Sequence, residues 1–108
     1  MNWPHLVSYF FGGMFLANAI PHLVSGMTGR PFQTPFAKPP GKGLSSSTVN
    51  VLWGFFNLAL SYVLFVRVGE FDIRLTSDVL GSALGSLLIG IFSARNFGKF
   101  HGGNRPTG

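Results

Sequence analysis

Charge is what this 108-residue chain has least of: only 10% of its residues are Asp, Glu, Lys or Arg. A soluble domain carries about 25% and needs them to cover its surface. Cysteine is absent altogether, which excludes disulfides, thiolate metal sites and cysteine nucleophiles. Acidic residues number three, Glu70, Asp72 and Asp78, and all fall in one short segment. No apolar stretch contains a carboxylate, so neither a paired-carboxylate catalyst nor a coupled cation exporter with an intramembrane acid fits. What fills the chain instead is apolar: 46% hydrophobic residues, twelve Phe, fifteen Gly and a mean hydropathy of +0.36.

The few charges mark out three uncharged stretches, residues 1–29, 43–66 and 79–94. A hydrocarbon core about 30 Å thick takes roughly 20 residues of helix at about 1.5 Å each. The first two stretches reach that length alone, and the third reaches it with Asp78 and Arg95 snorkelling at its ends. The pattern predicts an all-α integral membrane protein forming one domain over residues 1–108. Its spans are expected at about residues 3–24, 48–66 and 78–95, followed by a flexible basic tail over 96–108. Trp3 and Pro4 suit the first helix start, one at headgroup depth and one in the first turn. Pro21 predicts a kink or early stop. The run Ser45–Thr48 offers N-cap hydroxyls to the second helix. A small-x-small pattern at Ala17-Asn18-Ala19 resembles a signal-peptide cleavage site. The absence of Lys and Arg before it, and Pro21 just beyond, argue for retention.

Basic residues set the orientation. Arg30, Lys38 and Lys42 lie between spans one and two, and Arg95, Lys99 and Arg105 follow span three, so six of the eight share a face. By the positive-inside rule that face is cytoplasmic, with the N-terminus out and the C-terminus in, and the expected home is a bacterial inner (plasma) membrane. The net charge of +5 is thereby explained by helix flanks. Because the basic residues are scattered and form no patch interleaved with exposed aromatics, no nucleic-acid partner is expected.

Residues 25–47 join the first two spans and contain four prolines and four glycines, too many for a continuous helix. Phe32 and Phe36 sit four apart there, beside the basic residues. The composition predicts an interfacial loop, with Trp3, Phe32 and Phe36 as membrane anchors and Lys38 and Lys42 at anionic headgroups. The sharper reading is a lid folded over the helix bundle. The sequence GKGLSSS lacks the Gly-Lys-Ser/Thr ending and preceding strand of a phosphate loop.

Within the spans, small and polar residues keep to one side. Asn50, Gly54, Asn57 and Ser61 recur at i, i+4, i+7 and i+11, one face of a helix. Gly12 falls one turn after Ser8, and His22 one turn after Asn18. In the third span Gly81 and Gly85 are four apart, beside a stripe of Ser82, Ser86 and Gly90. Such residues let helices approach and hydrogen-bond across the contact, either within one chain or between copies. The functional reading gathers Asn18, His22, Asn50, Asn57 and Ser61 into a polar pocket or path in the cytoplasmic half, with His22 the group that titrates nearest neutrality. His101, in a glycine-rich tail, could join His22 on a haem only if the tail folded back. No metal or cofactor is expected, nor an enzyme. The partners expected are the lipid bilayer and either further copies of the chain or a larger membrane complex. The sequence points to an accessory or assembly subunit, and alternatively to a homo-oligomeric channel for a small solute.

Overall fold

A computed structural model describes residues 2–103. It contains three long helices: α1 over Trp3–Met27, α2 over Ser47–Tyr62 and α3 over Thr76–His101. α2 continues without a break into a π-helical turn, Val63–Val68. All three segments are long and apolar enough to cross a membrane, so the chain is a multi-pass membrane protein in architecture. Two short strands, β1 (Phe32–Gln33) and β2 (Leu44–Ser45), pair antiparallel between α1 and α2.

α1 is the middle of the bundle. It packs along both α2 and α3, which scarcely touch each other. Its N-terminus is capped by Asn2, whose Oδ1 accepts from the His5 N–H at 3.2 Å, with Pro4 in the first turn. The helix runs through Pro21 and ends three residues beyond the expected Val24. Pro21 removes one helical hydrogen bond, but packing on both sides holds the turns either way. At its C-terminus the Thr28 hydroxyl bonds back to the carbonyl of Val24 at 2.7 Å, and the chain reverses at Gly29 with φ of +77°.

α2 begins as its N-cap serines predict. The Ser46 hydroxyl accepts from the Val49 N–H at 3.2 Å. The six residues that follow it, Val63–Val68, are π-helical rather than α-helical. The widened turn gives the Leu64 carbonyl to the Gly69 N–H and also lets it accept from the Ser8 hydroxyl of α1. Phe65 from this turn lies over Gly12, where a Cβ would meet its ring at 3.0 Å.

α3 is the largest departure from expectation. It extends to His101, six residues past the expected end. Residues 96–101 are therefore helical rather than a flexible tail, and Gly102 caps them in the left-handed region with φ of +71°. Residues 104–108, with Arg105, lie outside the described residues. The extra turns persist because they have something to pack on: Phe97 and His101 contact Phe32 of the β1–β2 hairpin. At the other end, Asp78 is buried in the first turn of α3 and accepts from the Asp72 N–H at 3.0 Å. This arrangement satisfies a turn N–H and complements the helix dipole.

Candidate functional site

The α1–α2 contact is lined with the polar residues that helical spacing groups together. Asn50, Gly54, Asn57 and Ser61 are all buried, as are Ser8, Gly12, Ala19, His22 and Gly26 of α1. Asn18 donates from Nδ2 to Asn57 Oδ1 at 3.0 Å. Asn57 in turn donates to the Trp53 carbonyl one turn back in its own helix, at 2.8 Å. Ser61 donates to the Gly12 carbonyl at 2.8 Å.

The densest knot is at the loop end. Asn50 is fully buried, and its Nδ2 lies 3.0–3.2 Å from the carbonyls of Phe32, Ser45 and Ser46. Three acceptors around one nitrogen fix which way the amide points. Its Oδ1 therefore faces His22 Nδ1, 2.8 Å away. Because a carbonyl oxygen can only accept, it is His22 Nδ1–H that donates across this contact. One asparagine thus ties together α1, both ends of the hairpin and its own helix N-terminus.

The hairpin covers this knot. Phe32 meets the His22 ring edge-on at 5.5 Å between centroids, packs on Phe97 at 4.8 Å and stacks on His101 at 5.4 Å. Gln33 and Thr34 are buried beside it, and Gln33 Oε1 lies 3.1 Å from His101 Nε2. Phe32 is therefore half-buried roof over His22, not a lipid anchor, whereas Phe36 (63% exposed) and Trp3 (70% exposed) face outward. Lys38 and Lys42 are exposed on the same loop. A haem ligated by His22 and His101 would have to displace Phe32, which packs on both.

The α1–α3 contact is built differently. Gly13 and Gly85 bring the two backbones together: a Cβ at Gly85 would lie 1.9 Å from the Phe10 carbonyl oxygen, and one at Gly13 would lie 2.1 Å from that of Ser82. Ser86 donates to the Gly13 carbonyl at 3.0 Å. Gly81 sits at ordinary van der Waals distance from Leu6. Gly90, grouped with this stripe by its spacing, faces open space, with nothing within 4 Å of an added Cβ. Within the chain it therefore makes no close packing contact. The Gly81–Gly85 step is occupied within the chain and is not a free face for a second copy.

Several residues of the site carried no sequence signal. Trp53 packs edge-on against Phe36 at 4.9 Å and stacks on Phe56 at 5.7 Å. Its Nε1 is the one buried side-chain nitrogen or oxygen without a partner among the described residues. Tyr9 is buried at the far end, accepting from the Glu70 N–H at 2.9 Å and packing on Phe65 and Phe71. Among the described residues no group of three His, Cys, Asp or Glu side chains could hold a metal. Comparison with known families, with curated proteins and with solved structures finds no match to this chain.

Proposed function

We propose that this protein is a non-enzymatic accessory or assembly subunit of a membrane complex, oriented with its N-terminus outside and its C-terminus and hairpin inside. The observation that carries the reading is the pairing of all five side chains of the candidate path, Asn18, His22, Asn50, Asn57 and Ser61. Asn18 bonds Asn57, His22 bonds Asn50, and Ser61 bonds a backbone carbonyl. Groups committed to one another hold helices together and leave no polar wall for a passing solute. The orientation follows the sorting of basic residues, and the membrane proposed for it is a bacterial inner membrane.

The surface offered to a partner is the outer side of α3. Leu80, Leu84, Leu87, Leu88 and Ile91 recur at i, i+4, i+7, i+8 and i+11 and are all exposed, while α3 meets α1 along its opposite, glycine-and-serine stripe and further on through Phe97 against His22. A helix held along one narrow seam and apolar on the rest suits lateral association in the bilayer.

The alternative, a homo-oligomeric channel, makes a contrary prediction at Asn57. In the accessory-subunit reading Asn57→Leu leaves Asn18 unpaired and lowers thermal stability in detergent by about 1 kcal/mol, with no solute flux to lose. Native mass spectrometry of the gently extracted protein, paired with vesicle flux, checks this. A discrete homo-oligomer whose flux disappears in Asn57→Leu, with the oligomer intact, would overturn the proposal. Stoichiometric association with a larger membrane protein, lost when Leu84, Leu88 and Ile91 are changed together to Ala, is the expected result.

A further inference from the structure

The lipid-facing side of α2 holds a groove that the helix contacts do not use. It has a volume of about 620 Å³ and is lined by Val49, Leu52, Trp53 and Phe56 of α2, with Pro35 and Phe36 of the loop as its second wall. The α2 residues fall at i, i+3, i+4 and i+7, so the groove follows one helix face for about 10 Å from the first turn inward. Its lining is almost wholly apolar.

The loop that supplies the groove's second wall also carries Lys38 and Lys42, both exposed. Val49 belongs to the first turn of α2, next to the Ser46 cap, so the positive end of the helix dipole is beside the entrance. Phe36, in the wall, is followed two residues later by Lys38, and the same turn brings in Lys42, whose N–H bonds the Pro39 carbonyl at 3.0 Å. No Asp or Glu occurs before Glu70, which lies beyond the far end of α2. An apolar trough one helix face wide, headed by two lysines and a helix N-terminus without a neighbouring carboxylate, matches one kind of occupant. It is a molecule with a hydrocarbon chain and an anionic head.

We infer that the groove is a binding site for an anionic phospholipid of the adjoining leaflet, with an acyl chain against Leu52, Trp53 and Phe56 and the phosphate at Lys38 and Lys42. This rests only on α2 crossing a membrane and not on the accessory-subunit reading, which the flux of Asn57→Leu tests separately. A zwitterionic lipid would fill the trough equally but gain less at its head, since each basic residue near the surface favours anionic lipid.

Trp53 is the reporter. The chain has two tryptophans, so Trp3→Phe leaves Trp53 as the sole indole. The variant is reconstituted in vesicles of zwitterionic lipid doped with brominated phosphatidylglycerol or, separately, brominated phosphatidylcholine. The expected result is that Trp53 fluorescence is quenched at roughly tenfold lower mole fraction of the anionic lipid, and that Lys38→Gln with Lys42→Gln removes most of that preference. Equal quenching by both lipids overturns the proposal without any lysine variant. So does a preference that survives the double substitution, which would put the charge recognition elsewhere. Absence of quenching by either lipid also overturns it, because a protein surface would then cover the groove.

Discussion

The two faces of α1 hold their neighbours by different means. Toward α2 the contact is chemical: three asparagines, a histidine and two serines donate or accept across it. Toward α3 it is geometric: Gly13 and Gly85 remove side chains so that backbones meet, and a single Ser86 hydroxyl crosses. Lipid tails are as apolar as leucine, so burial alone gives membrane helices little reason to associate. Each face supplies a substitute, directional bonds on one side and close van der Waals approach on the other. The polar face also positions the hairpin, since Asn50 bonds its backbone. The glycine face fixes only distance.

The sharpest way to break this comparison is to put a methyl group where the glycine face has no room. In Gly85→Ala the new Cβ would fall 1.9 Å from the Phe10 carbonyl oxygen. Neither atom is the end of a flexible side chain, so α1 and α3 must separate along their length. The expected loss is about 3 kcal/mol, read as a fall in thermal stability in detergent by circular dichroism. The α1–α2 contact, and with it the hairpin, survives. A fully stable Gly85→Ala would mean that the α1–α3 seam is not close-packed.

Asn50→Leu should do the converse at a smaller total cost, about 2 kcal/mol, since it removes bonds to His22 and to three carbonyls without forcing backbones apart. Its effect is local and visible first in the loop. Trypsin cleavage after Lys42 is expected to accelerate several-fold in Asn50→Leu and to stay unchanged in Gly85→Ala, because Asn50 alone of the two residues holds the hairpin down. Equal acceleration in both variants would make the two faces one cooperative unit.

The polar face was the more legible in sequence. Asn50, Gly54, Asn57 and Ser61 share a helical period, and a polar stripe in an otherwise apolar span has few places to go but inward. The three membrane-crossing helices were legible too, because charge is excluded from the bilayer core whatever the fold. The roof over His22 was not. Two-residue strands show no alternation, and nothing in a segment of four prolines announces that Gln33 and Thr34 are buried. The last turns of α3 were misread for a related reason. Gly98 and the glycines after His101 argue locally against helix, and contact with Phe32 outweighs them. The π-helical turn has no sequence mark at all, since it answers to the positions of Ser8 and Phe65 across a contact. What failed to show was in each case set by a residue distant in the chain.

Gly90 marks where the glycine face ends, and substituting it gives the smallest effect and the cleanest control. By spacing alone it belongs with Ser82 and Ser86, and one helical period cannot distinguish it from Gly85. In space, a Cβ at Gly90 meets nothing within 4 Å, whereas one at Gly85 meets backbone. Gly90 therefore contributes conformational freedom to the unfolded chain and no contact to the folded one. Replacing it by Ala restricts the former without disturbing the latter, and is expected to leave stability unchanged or raise it by about 0.5–1 kcal/mol. The same thermal melt that shows a drop for Gly85→Ala should show a flat or higher midpoint for Gly90→Ala. Loss of stability at Gly90 would reveal a close contact there that the isolated chain does not make, as when a second copy or a larger partner seats against that part of α3.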